Sequence, residues 1–165
     1  MDFNNIEHIK EAGFLGFKSV RELMVDCSEI PTIKGVYLVL NIDKYPPSYL
    51  EVGTGGHFKG KNPNVSHNRL RDNWVENTIV LYIGKAGGDT GGATLKSRLK
   101  QYFGFGSGKN IGHWGGRYIW QLATSSDLIV CWKPMPHDNP RAEEQRLIAQ
   151  FATQFGKRPF ANLVN

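Results

Sequence analysis

The sequence predicts an α+β domain, and three observations carry that reading. Short runs of β-branched and aromatic residues, Gly35-Val36-Tyr37-Leu38-Val39-Leu40, Val80-Leu81-Tyr82-Ile83 and Leu128 to Trp132, have the composition and length of strands. Thr94 to Phe103 and the stretch after Pro140 carry apolar residues at helical spacing. At 165 residues, 40% hydrophobic and 21% charged, the chain suits one domain, 1–165, that closes a core without staples.

Ile6 and Ile9 give the N-terminus a weak apolar stripe, and Ser19-Val20-Arg21-Glu22 is a capping-box pattern that opens a second short helix to about Asp26. Pro31 closes this helical extension, residues 1–33. After the Gly35 to Leu40 strand, the periodicity disappears between Asp43 and Thr78. Pro46-Pro47, Gly53, Gly55-Gly56, Gly60 and Pro63 interrupt the chain there, and only Asn68 to Glu76 has helical character. So long an irregular insert, 43–78, marks a functional loop or a disordered one. Val52, Phe58, Leu70 and Trp74 are its expected anchors, and His57, Lys59, Lys61, His67, Arg69 and Arg71 suit an acidic ligand. His57 and His67 lack a third metal ligand at motif spacing.

The Val80 to Ile83 strand leads through Gly84-Lys85-Ala86 into Gly87-Gly88-Asp89-Thr90-Gly91-Gly92, a mobile insert by composition. Thr94 is the expected N-cap of the following helix. Leu95, Leu99 and Phe103 recur every four residues and face the core, Arg98 and Tyr102 share another face, and Gly104 is the expected end. Gly106-Ser107-Gly108-Lys109 lacks Walker A spacing, with Asn110 where that motif has Ser or Thr. Arg117 to Leu122 suits either strand or helix. Asp138 or Asn139 caps the last helix, which Pro140 opens. Its apolar stripe is Leu147, Ile148, Phe151 and Phe155, and one turn back from Ile148 stands Glu144, whereas Glu143, Arg146 and Gln150 read as solvated. An inward carboxylate is costly unless it is paired or holds a cation.

The net charge of +5 is localised. From Lys85 to Arg117 the basic residues Lys85, Lys96, Arg98, Lys100, Lys109 and Arg117 face Asp89 alone, an excess equal to the charge of the whole chain. Tyr102, Phe103, Phe105 and Trp114 are interleaved with them, a pattern that suits a polyanion as well as a solvated helix face. No apolar run approaches the roughly 20 residues that span a bilayer, so no membrane association is expected. The start, Met1-Asp2-Phe3-Asn4-Asn5, lacks the regions of a signal peptide, and a cytoplasmic location is expected. Cys27 and Cys131 form no CxxC pair, and Cys131 sits in an apolar run that reads as core.

Taken in order, these pieces resemble the GIY-YIG nuclease family. Gly35-Val36-Tyr37 stands for the first tripeptide and Tyr82-Ile83-Gly84 for the second. Leu81 to Ala86 followed by Leu95 to Phe103 is similar to the nuclease domain of the bacterial excision-repair incision subunit. Glu144-Gln145-Arg146-Leu147-Ile148 resembles the helix with the family's metal-binding glutamate, and Pro159-Phe160-Ala161-Asn162 its terminal motif. The resemblance covers 34–163. It departs from the family in the 43–78 insert, in a second insert from Gly87 to Ala93, and at Ala161, where the family often has tyrosine.

The resemblance implies a small antiparallel sheet of about three strands flanked by helices, with Gly116 to Leu122 helical. It also implies a DNA endonuclease using Mg²⁺ or Mn²⁺ held by Glu144. Arg98 would fork onto phosphate oxygens; Tyr37 and Tyr82 would bind or deprotonate the attacking water, with Lys85 lowering their pKa; Tyr102 would point into the same site; and Asn162 would orient the motif or a phosphate. Lys96, Lys100, Lys109, His113 and Arg117 are the substrate-binding candidates, although a histidine between glycines is also an ordinary loop residue. DNA is the expected partner, beside a partner protein or a homodimer, since a lone site would nick one strand unless two copies meet. The alternatives are a non-catalytic nucleic-acid-binding module acting with a partner protein, and an enzyme acting on another phosphate-containing ligand enclosed by the insert.

Overall fold

The computed structural model describes residues 1–88 and 90–163; Asp89, counted in the charge cluster and in the glycine-rich insert, lies outside them. Four strands build one antiparallel sheet: β1 (Leu15–Ser19), β2 (Gly35–Leu40), β3 (Val80–Ala86) and β4 (Ile129–Pro134), in the order β1-β4-β2-β3. The sheet therefore has one strand more than expected. β1 carries no alternating pattern: Leu15 is exposed, and Gly16 and Phe17 have φ of +94° and +55°. Its strand character comes from pairing with β4, where a side chain at Gly16 would lie 2.5 Å from the Trp132 ring.

Helices α1 (Ile6–Glu11), α2 (Val20–Val25), α3 (His67–Asn73), α4 (Leu95–Gly106) and α5 (Pro140–Phe155) surround the sheet. Their starts follow the sequence signals: Ser19 and Glu22 close a reciprocal capping box, Thr94 accepts from Ser97 N, and Asn139 accepts from Arg141 N and Ala142 N. Helix α4 runs two residues past Gly104, which keeps an ordinary φ, and ends where Gly106 packs on Trp120. Residues Arg117–Gln121 form a short 3-10 helix, so the segment that suited strand or helix is helical.

Two apolar layers sandwich the sheet. Tyr37, Val39 and Tyr82 pack with Leu95, Leu99 and Phe103 of α4, while Val36, Leu38 and Ile83 pack with Leu147 and Phe151 of α5. Cys131 is in the second layer. Glu143, expected to be solvated, is mostly covered because Lys133 and Arg146 bracket its carboxylate at 3.3 and 2.7 Å.

The 43–78 insert is tied down by hydrogen bonds. The buried Gln121 amide donates to Leu50 O and Val65 O at 3.0 and 2.8 Å and accepts from Val65 N at 3.0 Å, and Asn64 Oδ1 accepts from Gly53 N at 2.7 Å. One amide thus satisfies two separate stretches of backbone. Leu70 is buried and Trp74 meets Phe160 edge-on, but Val52 is 72% exposed and anchors nothing. No helix among the described residues is long and apolar enough to cross a membrane.

Candidate functional site

Tyr37 sits at the centre of β2, opposite Gly84 of β3. The need for glycine at 84 is steric: a Cβ there would stand 2.4 Å from Tyr37 Cζ and 2.6 Å from its hydroxyl oxygen. The ring lies across the strand where a side chain would be. Gly35 faces the same constraint from Lys133 O, 2.2 Å from an ideal Cβ. Past the second pair beyond Tyr37–Gly84 the register breaks: Val39 pairs with Tyr82 while Leu40 pairs with Val80, leaving Leu81 as the extra residue of a bulge. Bulges re-aim side chains, and this one leaves Leu81 and Tyr82 on the same apolar layer.

Beyond the C-terminal end of β3 a cavity of about 420 Å³ opens, walled by Tyr37, Tyr82, Lys85, Arg98, Arg141 and Glu144 together with the glycine loop. β2, β3, α4 and α5 each contribute. Glu144 belongs to α5 on one side of the sheet and Arg98 to α4 on the other, so the cavity unites both layers. Glu144 takes part in no salt bridge among the described residues, and its pairing with Arg98 is not formed. Burial pushes its carboxyl pKa up, against the opposing pull of the Lys85, Arg98, Arg141 and Arg158 charges.

Arg98 donates to Gly112 O at 3.3 Å and to Gln101 Oε1 at 3.2 Å, and forms no salt bridge with a carboxylate among the described residues. Lys85 donates to Gly87 O at 3.2 Å. The expectation that Lys85 lowers the tyrosine pKa values is corrected: burial raises both. Tyr37 moves well above its ordinary value, and Tyr82 rises to about 12 through burial and then the charge of Glu144. Both phenols therefore stay protonated at neutral pH.

His113, a substrate-binding candidate, lies outside the cavity lining. It is fully buried, with Nδ1 2.8 Å from Gly115 O and Nε2 3.1 Å from the Tyr37 hydroxyl. A carbonyl only accepts, so Nδ1 carries the proton and Nε2 is left bare to accept from Tyr37. Burial, then the Arg98 charge, holds its pKa down to about 3, which keeps it neutral. Sequence offered no signal for this role, since the residue lies between glycines in an irregular loop.

Tyr102 does not point into the cavity. It is buried behind it, 4.6 Å from the His113 ring and 4.9 Å from Trp120 between centroids, because its position on α4 faces the sheet. Asn162 also lies outside the cavity lining. Its Oδ1 accepts from Ile83 N at 2.9 Å and its Nδ2 donates to Ile83 O at 2.8 Å, extending the free edge of β3 as a neighbouring strand would. It holds the segment between Tyr82 and Gly84.

The substrate-binding candidates disperse. Lys96, Lys100 and Lys109 line a separate groove of about 590 Å³ between α4 and the Leu23 to Ser28 segment. Lys96 and Lys100 are four residues apart and project from a different face of α4 than Arg98. Arg117 lies beyond the His113 loop, stacked on Trp114 with 4.5 Å from Cζ to the ring centroid. Arg141, a cavity residue that the sequence reading passed over, stands one turn before Glu144, and that spacing was the available signal. No family model, curated protein or solved structure matches the chain.

Proposed function

We propose that the chain is a divalent-metal-dependent endonuclease that hydrolyses phosphodiester bonds in DNA, as its resemblance to the GIY-YIG nucleases implies. The observation that carries this reading is the convergence of Glu144, a carboxylate with no salt-bridge partner among the described residues, with Arg98, Lys85 and two protonated tyrosines on one polar cavity. Four elements distant in sequence supply these groups.

The donor set fits Mg²⁺ or Mn²⁺. Mg²⁺ retains several waters and is commonly held by one or two carboxylates plus substrate phosphate, and Glu144 is a half-buried carboxylate with no salt-bridge partner among the described residues. Bound there, the metal supplies Lewis acidity at the phosphate and assists the leaving oxygen. Arg98 places a permanent, forked charge where negative charge grows on the phosphoryl oxygens. Lys85 adds a second cation on the Glu144 side. Tyr82, protonated, donates to a phosphate or water oxygen.

Tyr37 combines two properties. It lines the cavity, and its hydroxyl donates to His113 Nε2. Donating to His113 leaves the Tyr37 oxygen lone pair to accept from a cavity water and orient it for attack, while the phenolic proton stays in place because His113, with a pKa of about 3, does not take it. The burial-raised pKa of Tyr37 likewise keeps the phenol protonated, so Tyr37 binds the water rather than deprotonating it.

The test is incubation of purified protein with plasmid DNA and Mg²⁺, beside Glu144→Ala and Arg98→Ala. Mg²⁺-dependent nicking by the wild type and its loss in both variants is expected. Equal nicking by all three refutes the site, and no cleavage of any nucleic acid refutes the enzyme.

A further inference from the structure

Outside the cavity, two arginines share one aromatic platform. Arg117 rests on Trp114 and Tyr118, its Cζ 4.5 and 5.3 Å from the ring centroids, and donates to Trp114 O at 3.3 Å. Arg69, from α3 in the insert, donates its Nε proton to the Tyr118 hydroxyl at 3.0 Å. Neither guanidinium takes part in a salt bridge among the described residues. Half-burial, then the Arg69 charge, disfavours the charged form of Arg117. Two like charges gathered without a carboxylate form a surface short of an anion.

The platform adjoins the catalytic tyrosines. The loop that ends at Arg117 accepts from Arg98 at Gly112 O, places His113 behind Tyr37, and crosses Tyr82 so closely that Cβ atoms at Gly115 and Gly116 would lie 3.2 Å from its hydroxyl and 3.0 Å from its ring. A strand whose phosphate sits by Arg98 and continues over this loop meets Arg117 and Arg69 next.

We propose that Arg69 and Arg117 form a second phosphate site, which clamps the DNA backbone beside the scissile phosphodiester, and that the 43–78 insert serves to bring Arg69 to it. Its location beside the active cavity rests on the endonuclease reading, whereas the anion site itself does not. The planar forks suit phosphate oxygens, and stacking on Trp114 and Tyr118 fixes the plane of Arg117 before DNA arrives. This gives the insert a purpose that its irregular sequence does not show. Gln121, on the 3-10 helix that carries Arg117, holds it in place through Leu50 O, Val65 O and Val65 N.

The test is binding of a short fluorescent DNA duplex, without metal, across a salt series. It compares wild type, the Arg69→Gln/Arg117→Gln double variant and the charge-retaining Arg69→Lys/Arg117→Lys variant, each checked by circular dichroism, with Mg²⁺-dependent nicking measured in parallel. Each phosphate contact contributes about 0.9 to the slope of log affinity on log salt. The glutamine variant is expected to lose at least about one such contact, and the lysine variant to keep the slope. An unchanged slope in the glutamine variant overturns the clamp, and so does loss of slope in the lysine variant with its fold intact. Wild-type nicking decides the enzyme reading separately: a reduced slope without nicking leaves the clamp standing and refutes the nuclease, whereas nicking with an unchanged slope does the reverse. Failure of the wild type to bind DNA refutes both.

Discussion

Replacing Gly84 by alanine adds one methyl group where the structure has the least room for it. The new Cβ would stand 2.4 Å from Tyr37 Cζ, against about 3.4 Å for the near end of ordinary contact, so ring or strand must give by about 1 Å. The ring has little freedom: it is fully buried, with Tyr82 and Tyr102 rings centred 6.0 and 6.3 Å away and His113 bonded to its hydroxyl. Overpacking of this kind costs about 1–3 kcal/mol. The functional cost is larger in relative terms. A 3.1 Å hydrogen bond to His113 stretched by 1 Å is no longer one, and a misplacement of that size in a catalytic group costs on the order of 10²-fold in rate. The assay is initial plasmid nicking in Mg²⁺ below the melting transition, with thermal unfolding measured on the same samples. Gly56→Ala is the comparison, because its Cβ would meet Lys109 O at 2.0 Å, in the insert and outside the cavity lining. Comparable destabilisation with nicking depressed only by Gly84→Ala is expected. Nicking by Gly84→Ala near the wild-type rate, or equal loss in both variants, refutes the claim that the glycine exists to seat Tyr37.

Other perturbations follow from the same geometry. Glu144→Gln should abolish nicking yet raise thermal stability at neutral pH, because the folded carboxyl has a raised pKa and its ionised form is disfavoured. The gain should vanish below the unfolded carboxyl pKa, about 4.3, and Mg²⁺ should stabilise only the wild type, by about 2.7 kcal/mol at a hundredfold excess over its Kd. His113, with a folded pKa of about 3, resists a proton that the unfolded chain takes near 6.5. Its contribution is therefore complete above that value and lost as pH falls towards 3, by up to roughly 5 kcal/mol. A urea-unfolding series over pH should show a shallower acid loss in His113→Gln. Asn162→Ala removes both bonds to the Ile83 peptide and should cost about 1–3 kcal/mol by chemical denaturation, together with part of the nicking rate.

Sequence disclosed those features that local chemistry dictates. The capping box at Ser19 and Glu22, the Asn139 cap, the α4 core stripe and the inward turn of Glu144 are set by neighbours within a few residues. What it did not disclose depends on partners far along the chain. β1 exists because β4 offers an edge and Trp132 covers Gly16, and nothing in Leu15 to Ser19 announces that. Tyr102 and Arg98 share a helical face only to within about one turn, and packing against the sheet buried the first while leaving the second at the cavity rim. The basic residues counted as one cluster split three ways, since a helix sends positions 96 and 98 in different directions and charge tallies carry no direction.

On the endonuclease proposal, the pKa pattern narrows what the cavity tyrosines do. A tyrosine general base is usually rationalised by a nearby cation that stabilises phenolate, yet Tyr37 and Tyr82 both move upward, because burial outweighs Arg98 and the Glu144 charge adds to the effect at Tyr82. With phenolate disfavoured and His113 held neutral, Tyr37 acts by orienting a water rather than by taking its proton. His113 fixes the direction of the Tyr37 hydroxyl from inside the core, in a neutral tautomer set by Gly115 O. The loop that fixes the tautomer also accepts from Arg98 and leads to Arg117. On the endonuclease proposal, displacement of Gly112 to Gly116 would thus disturb the Tyr37 hydroxyl, Arg98 and the proposed second anion site together. Disruption of this loop should depress cleavage more than the sum of Arg98 and His113 substitutions made singly would indicate, a non-additivity that a double-mutant cycle measures.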